Sequence, residues 1–316
     1  MSYSLTNLND AIASLEPQMG YICKVSGTTG LSLTVISGGK EAYAKHFGFR
    51  DLEAKEAPDG DTTYFIGSVT KGMVAVLVGI LIEEGKLGWS TRGAPILPEL
   101  QDSFNGRGSE IIIADLLPHR TGVARNLLLP KSESLRTWAA QPVVRDFRSA
   151  FLYNYAYDVV GQIIEMVERN SLEEAFKERI WEPLEMHRTS MEDLAGNTNA
   201  AKAYYALEDA SSYEVPISII SNKPIMGAGG AIRSCTNDLA KYYTSFMRQL
   251  IISSTTRRPQ RQTRHSSSSL QSSDLTISLI SPLYASSLMH WAGGVHSSLV
   301  RWALSVTTIC LFPHCR

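Results

Sequence analysis

Apolar residues at Met73, Val76, Leu77, Ile80 and Leu81 recur at three- and four-residue spacing, which predicts a helix opening near Ser68 with one broad buried face. Gly85 stands where such a helix commonly ends. Upstream the period changes. Leu31 to Ile36 mixes alternation with β-branched residues, Ser37-Gly38-Gly39-Lys40 is a turn, and Glu41 to Phe49 is a second extended run, so a β-hairpin is expected. Gly48-Phe49-Arg50-Asp51 and Pro58-Asp59-Gly60-Asp61 interrupt the pattern before the helix, and Pro95 and Pro98 keep 87–100 irregular. Tyr157, Val160, Ile163, Ile164 and Val167 mark a second helix. A third opens at Ser171, with Glu174 placed for a capping box, and runs to Trp181. Asn197 to Pro224 reads as polar and irregular, Gly227 to Ala231 as a close-backbone turn, and Thr236 or Asn237 as the cap of a helix through Leu250.

Past Ile252 the pattern ends abruptly. Residues 253–274 are dominated by Ser, Thr, Arg and Gln, and such a stretch buries too little apolar surface to order itself. Residues 275–316 carry apolar pieces with weak periodicity. The organisation expected is therefore a folded domain over 1–252, a disordered Ser/Arg-rich segment over 253–274 and an atypical tail over 275–316. A break of this kind is what a shifted reading frame or misread splice junction produces; a basic segment for nucleic acid or phosphorylation is the less favoured reading.

The chain has 316 residues, 44% of them hydrophobic, with a formal charge of −1, enough to bury a sizeable core as one large domain or two intimate ones. Near-neutral charge offers no electrostatic case for nucleic acid or an anionic membrane. Cys23, Cys235, Cys310 and Cys315 have no Cys-x-x-Cys spacing, so neither a zinc site nor a disulfide framework is indicated. The first residues lack the basic-then-apolar pattern of a secretion signal, and no apolar run is long enough to span a bilayer. The expectation is a cytoplasmic protein with no metal or cofactor and of unspecified oligomeric state.

Ser68 and Lys71 lie three apart, hence on one face of the predicted helix. A serine hydroxyl is a poor nucleophile until a neighbouring base takes its proton. A lysine against apolar walls has its charged form disfavoured and can supply that base, and the helix N-terminus favours developing negative charge. The other reading is a helix-capping serine followed by a solvated first-turn lysine.

The order of further motifs bears on that choice. Leu116-Leu117-Pro118-His119-Arg120-Thr121-Gly122 follows the helix, then Tyr153-Asn154-Tyr155 with Tyr157 and Gly161, then Gly227-Ala228-Gly229-Gly230-Ala231 with Asn237-Asp238-Leu239. With the Gly48-Phe49-Arg50-Asp51 turn, these pieces resemble the serine β-lactamase-like family: class C β-lactamases, low-molecular-weight penicillin-binding proteins, and related esterases and transesterases, with a fungal flavour. The resemblance covers about residues 25–250. It implies an α/β (α+β) fold, with an antiparallel sheet flanked by helices and a helical region over about 72–240. It also implies a small-molecule acyl substrate, with Ser68 the acylated nucleophile, Lys71 its proton-handling partner and Tyr153 sharing acid–base duty. Asn154 would hold the substrate's carbonyl side, although the family's Tyr-x-Asn is one residue short here. His119 is expected to be structural, placing a turn. The family's third motif, Lys-Thr-Gly or His-x-Gly on a late strand, has only faint echoes at His290 to Gly293 and Gly293 to His296. The expected function is a serine hydrolase or acyl transferase of secondary metabolism; a truncated or non-catalytic binding relative is the alternative.

Overall fold

A computed structural model of the chain describes residues 5–104, 106–124, 131–153, 155–192, 198–216 and 227–256. In chain order the elements are helices α1 (Leu5–Ala13) and α2 (Glu16–Ser26), strands β1 (Gly30–Ser37), β2 (Lys40–Gly48) and β3 (Tyr64–Phe65), and helices α3 (Thr70–Glu83), α4 (Ile113–Leu116), α5 (Lys131–Ala139), α6 (Ala156–Glu168) and α7 (Leu172–Phe176). Strands β4 (Ala203–Ala206) and β5 (Ser212–Val215), the single turn α8 (Gly227–Gly230), strand β6 (Arg233–Ser234) and the long helix α9 (Thr236–Thr256) complete them. The described residues gather into two compact units. One draws on the stretches up to Thr62, from Asn199 to Pro216 and from Cys235 onward; the other on Thr63–Thr198 and the stretch closing at Ser234.

The first unit is built on the expected hairpin. β1 pairs antiparallel with β2 from Gly30↔Gly48 to Ser37↔Lys40, with an irregularity between Val35 and Ile36. The buried Tyr43 of β2 donates its hydroxyl to Glu16 at 2.9 Å, and Lys45 pairs with the same carboxylate at 3.1 Å. The Pro58–Asp61 turn is clamped by the first turn of α9. Asn237 donates its backbone N–H to Gly60 at 3.0 Å and its amide to Asp61 at 2.8 Å. A Cβ at Gly60 would lie 2.5 Å from the Asn237 side chain, so this turn admits only glycine without movement. One expectation fails here: the polar stretch after Asn197 contains the hairpin β4–β5, paired from Ala203↔Val215 to Ala206↔Ser212. Its turn is a local polar device, with Asp209 accepting from the Ser211 N–H at 2.9 Å and its hydroxyl at 2.6 Å.

The second unit is organised around α3. No polar residue interrupts the chain from Gly72 to Ile82, and the helix is buried almost all round rather than on one face: Met73, Val74, Leu77, Val78 and Leu81 are each 0% exposed. Each such side chain contributes roughly 1.5–3 kcal/mol relative to exposure. α6 and α8 pack on it. Gly161 in α6 lets α8 approach, since a Cβ there would come within 2.7 Å of the Ala228 Cβ. β3 and β6 pair as a short antiparallel ribbon through Tyr64↔Ser234.

The third predicted helix is α7 followed by a π-turn over Lys177–Trp181. Ser171 accepts from the Glu174 N–H at 3.2 Å, but Glu174 turns to Lys177 at 3.0 Å, so half of the capping box forms. Arg179 in the π-turn links Glu84 after α3 (2.6 Å) with Glu168 ending α6 (2.9 Å). α9 runs four residues beyond Ile252, into the segment expected to be disordered. The rest of that segment, the tail, and the faint third-motif echoes lie outside the described residues.

Candidate active site

The start of α3 differs from the expectation in one detail. Gly67–Val69 form a 3₁₀ turn and the α-helix proper begins at Thr70. Ser68 therefore sits exposed on the tighter turn, while Lys71, in the first α-helical turn, is only 8% exposed. The hydroxyl is on the surface and the amine is inside.

Lys71 Nζ donates to Ser68 Oγ at 3.2 Å and to the Gly229 carbonyl of α8 at 2.5 Å. It lies 4.6 Å from the Tyr153 ring centroid and 5.5 Å from that of Tyr157. Burial pushes the Lys71 ammonium down to about 8, against the opposing pull of the Asp158 carboxylate. Near neutral pH a useful fraction of this amine is unprotonated. Ser68 Oγ also shares a hydrogen bond with the Tyr153 hydroxyl. The serine thus has two proton partners, an amine below and a phenol beside it. Tyr157, buried behind, has its phenol raised above the ordinary range by burial, so it stays protonated.

The structure brings Ser68, Lys71 and Tyr153 together. Asn154 lies outside the described residues. His119 is 3% exposed, with backbone φ of +54°, and its ring packs against Tyr153 and Tyr157 at 4.9 Å and 5.1 Å. Burial and the nearby Lys71 charge push its pKa to about 3, so it stays neutral. It has no hydrogen bond to Ser68 or Lys71, consistent with a placing rather than a proton-transfer role.

Tyr153 arrives on a loop tied by polar contacts. Arg148 makes a two-pronged ion pair with Asp115 of α4, Nε to Oδ1 at 2.7 Å and Nη2 to Oδ2 at 2.9 Å. Its backbone N–H donates to Arg120 at 2.8 Å, and the Leu152 N–H donates to the His119 carbonyl at 2.8 Å. Asp115 also accepts from the Ile112 N–H at 3.1 Å, so one carboxylate holds both the start of α4 and the tyrosine loop.

Sequence reasoning missed two members of the site, Asp158 and the Gly229 peptide. Asp158 Oδ1 accepts from Gly229 N–H at 3.3 Å, and the Gly229 carbonyl receives Lys71. The readable signal was an acid in the first turn of the helix, set among Tyr157, Val159 and Val160. Its buried setting depends on α8, whose Gly229 lies 71 residues further along the chain, which no local pattern gives.

A surface serine hydrogen-bonded both to a buried, easily neutralised lysine and to a phenol has the nucleophile-beside-base arrangement that covalent catalysis requires. The chain belongs to the Beta-lactamase family, whose profile matches residues 20–297. It is similar to unguisins hydrolase ungD of Aspergillus violaceofuscus, 29% identical over 244 residues that cover 69% of this chain and 42% of the relative. This chain thus spans under half the length of that curated relative. Among solved structures, an octameric penicillin-binding protein homologue from Pyrococcus abyssi superposes with a TM-score of 0.64 at 27% identity, over 74% of this chain and 56% of that one. EstCE1, described as a hydrolase with promiscuous acyltransferase activity, shares the fold with a TM-score of 0.65 at 20% identity, over 75% and 73% of the two chains. The β-lactamase/transpeptidase-like α/β fold expected from the motifs is therefore the fold of this chain. Among the described residues no helix is long and apolar enough to cross a membrane.

Proposed function

We propose that the chain is a serine hydrolase or acyl transferase that works through an acyl-enzyme on Ser68. The observation that carries this reading is the pairing of an exposed hydroxyl with a buried lysine whose pKa burial lowers to about 8. Neutral Lys71 accepts the Ser68 proton as Oγ bonds to the carbonyl carbon of an ester, thioester or amide. The carbonyl π electrons move to oxygen, at the N-terminal end of α3 where helix N–H groups favour negative charge. When the tetrahedral intermediate collapses, the bond to the leaving group breaks and Tyr153 delivers a proton to it, replenished from Lys71. Water, an alcohol or an amine then enters by the reverse path and releases the acyl group. Hydrolysis and acyl transfer differ only in that acceptor, and the names of the hydrolase relative and of EstCE1 support both.

Incubation with a fluorophosphonate followed by peptide mapping tests the assignment. Label on Ser68 alone is expected, rising with pH as Lys71 loses its proton near 8. Label on another serine, or none in folded protein, removes Ser68 as nucleophile.

A further inference from the structure

The aromatic residues beside the nucleophile are more ordered than proton transfer alone requires. Phe151 is 62% exposed, yet its ring is not loose. It stacks on Tyr153 with centroids 6.0 Å apart and planes 25° apart. Behind both stands the buried His119, edge-on to Phe151 at 5.3 Å and 86° and to Tyr153 at 4.9 Å and 62°. The His119 carbonyl holds the N–H of Leu152, the residue between the two rings. Among the described residues His119 Nδ1 is buried without a hydrogen-bond partner, and His119 supports the pair through its ring contacts and its backbone carbonyl. The result is an aromatic cluster in which the Phe151 ring, held against Tyr153 and His119, remains largely exposed.

The position of that ring selects a part of the substrate. Tyr153 bonds Ser68 Oγ and, on the acyl-enzyme reading, hands its proton to the departing group. A ring stacked on Tyr153 therefore borders the leaving-group side of the scissile bond, and by reversal the acceptor's side. We propose that Phe151, stacked on Tyr153 and backed by His119, is a shelf for an aromatic alcohol or amine portion of the substrate or acceptor. An aromatic leaving group covers the exposed Phe151 face and offers it an offset or edge-on partner, whereas a methyl group covers little of it. The proposal rests on the acyl-enzyme reading of Ser68 and adds the class of group that leaves or enters.

The test compares benzyl acetate with methyl acetate, which deliver the same acetyl group from alcohols of similar acidity. The full chain is expected to favour the benzyl ester in kcat/KM. Phe151→Ala is expected to reduce the benzyl-to-methyl ratio roughly tenfold, the upper range of a ring–ring contact. Phe151→Tyr, which keeps the ring, should hold the ratio. The ratio of methyl phenylacetate to methyl acetate, which varies the acyl side, should not follow the same trend. In the same preparations benzyl alcohol should slow fluorophosphonate labelling of Ser68 at lower concentration than ethanol, with the difference shrinking in Phe151→Ala, which reads the shelf without turnover. Label on Ser68 with equal ratios and equal protection in wild type and Phe151→Ala removes the shelf alone. A change in the acyl-side ratio instead places Phe151 on the other side of the bond. Absence of label on wild-type Ser68 removes the acyl-enzyme reading and the shelf with it.

Discussion

The two carriers of the site, helix α3 and the loop that ends at Tyr153, are held by opposite means. α3 is gripped by apolar packing on nearly every side, with Met73, Val74, Leu77, Val78 and Leu81 fully buried below Lys71. The Tyr153 loop is strung on polar ties: the Asp115–Arg148 ion pair, the Arg148 and Leu152 backbone N–H groups, and the packed but chemically idle ring of His119. The Arg148 side chain remains 46% exposed and the phenyl of Phe151 faces solvent. Packing of the first kind fixes an amine in a dry place where its pKa must fall. Ties of the second kind fix a phenol where a substrate can still reach it. Base and acid are thus placed by different physics, and they should fail differently.

The largest expected difference comes from Lys71→Met, which keeps the packing and removes the base. Fluorophosphonate labelling of Ser68 should fall by roughly 10²–10⁴-fold, the usual contribution of a general base. Stability should move the other way at pH 7, because a buried ammonium is lost, partly offset by leaving the Gly229 carbonyl without its donor. The pH dependence fixes the cause. Folded Lys71 gives up its proton near 8 and the unfolded side chain near its ordinary 10.5. Between those values the unfolded state holds more protons, so wild-type stability rises with pH through that window. The gain in melting temperature of Lys71→Met over wild type should therefore shrink from pH 7 to pH 10. A gain that is constant with pH would mean that Lys71 keeps its ordinary proton affinity and stays charged inside the fold.

A smaller effect is expected on the loop. Arg148→Ala removes both prongs from Asp115 and should lower stability by about 1 kcal/mol, a modest value because Arg148 is half exposed. Asp115 keeps the Ile112 N–H, so α4 should survive. Activity on a small ester should fall roughly tenfold, since a displaced phenol spoils geometry without removing the base. Fluorophosphonate labelling, which needs no alcohol leaving group, should fall less than ester turnover. Equal losses in the two assays would show that the loop positions more than Tyr153.

These two carriers were also unequally legible in the sequence. The run from Met73 to Leu81 announces a buried helix by its period alone, and the Ser68–Lys71 spacing follows from it. What the period could not give is that α3 is covered on nearly every side, because covering residues come from α6 and α8 far along the chain. The tyrosine loop has no period at all. Its placement depends on Arg148 meeting Asp115 across 33 residues, a pairing that any of several arginines could have made on paper. Tyr153 was reached through a resemblance of motif order rather than through its surroundings. The β4–β5 hairpin was missed because its strands are short and its exposed side chains polar or aromatic, which leaves no apolar alternation to read.

The finest test separates packing from charge within the Lys71 pocket. The Gly229 peptide is shared: its carbonyl takes Lys71 Nζ at 2.5 Å and its N–H goes to Asp158 Oδ1 at 3.3 Å. Burial lowers the Lys71 pKa, while the Asp158 charge, in a site only 8% exposed, works to raise it. Asp158→Asn keeps an oxygen for the Gly229 N–H and removes the charge, so burial then acts with less opposition. The alkaline-rising limb of kcat/KM should shift from near pH 8 to lower pH, and its plateau should stay within a few-fold of wild type, because the amine is still present and still placed. Added salt should change that shift little, since the charge lies away from solvent. Asp158→Ala, which also deprives Gly229 of its acceptor, should shift the limb in the same direction and lower the plateau as well, as α8 loses its tie. A limb that stays put in Asp158→Asn while the plateau falls would mean that Asp158 serves only to hold α8, and that dryness alone sets the acidity of Lys71.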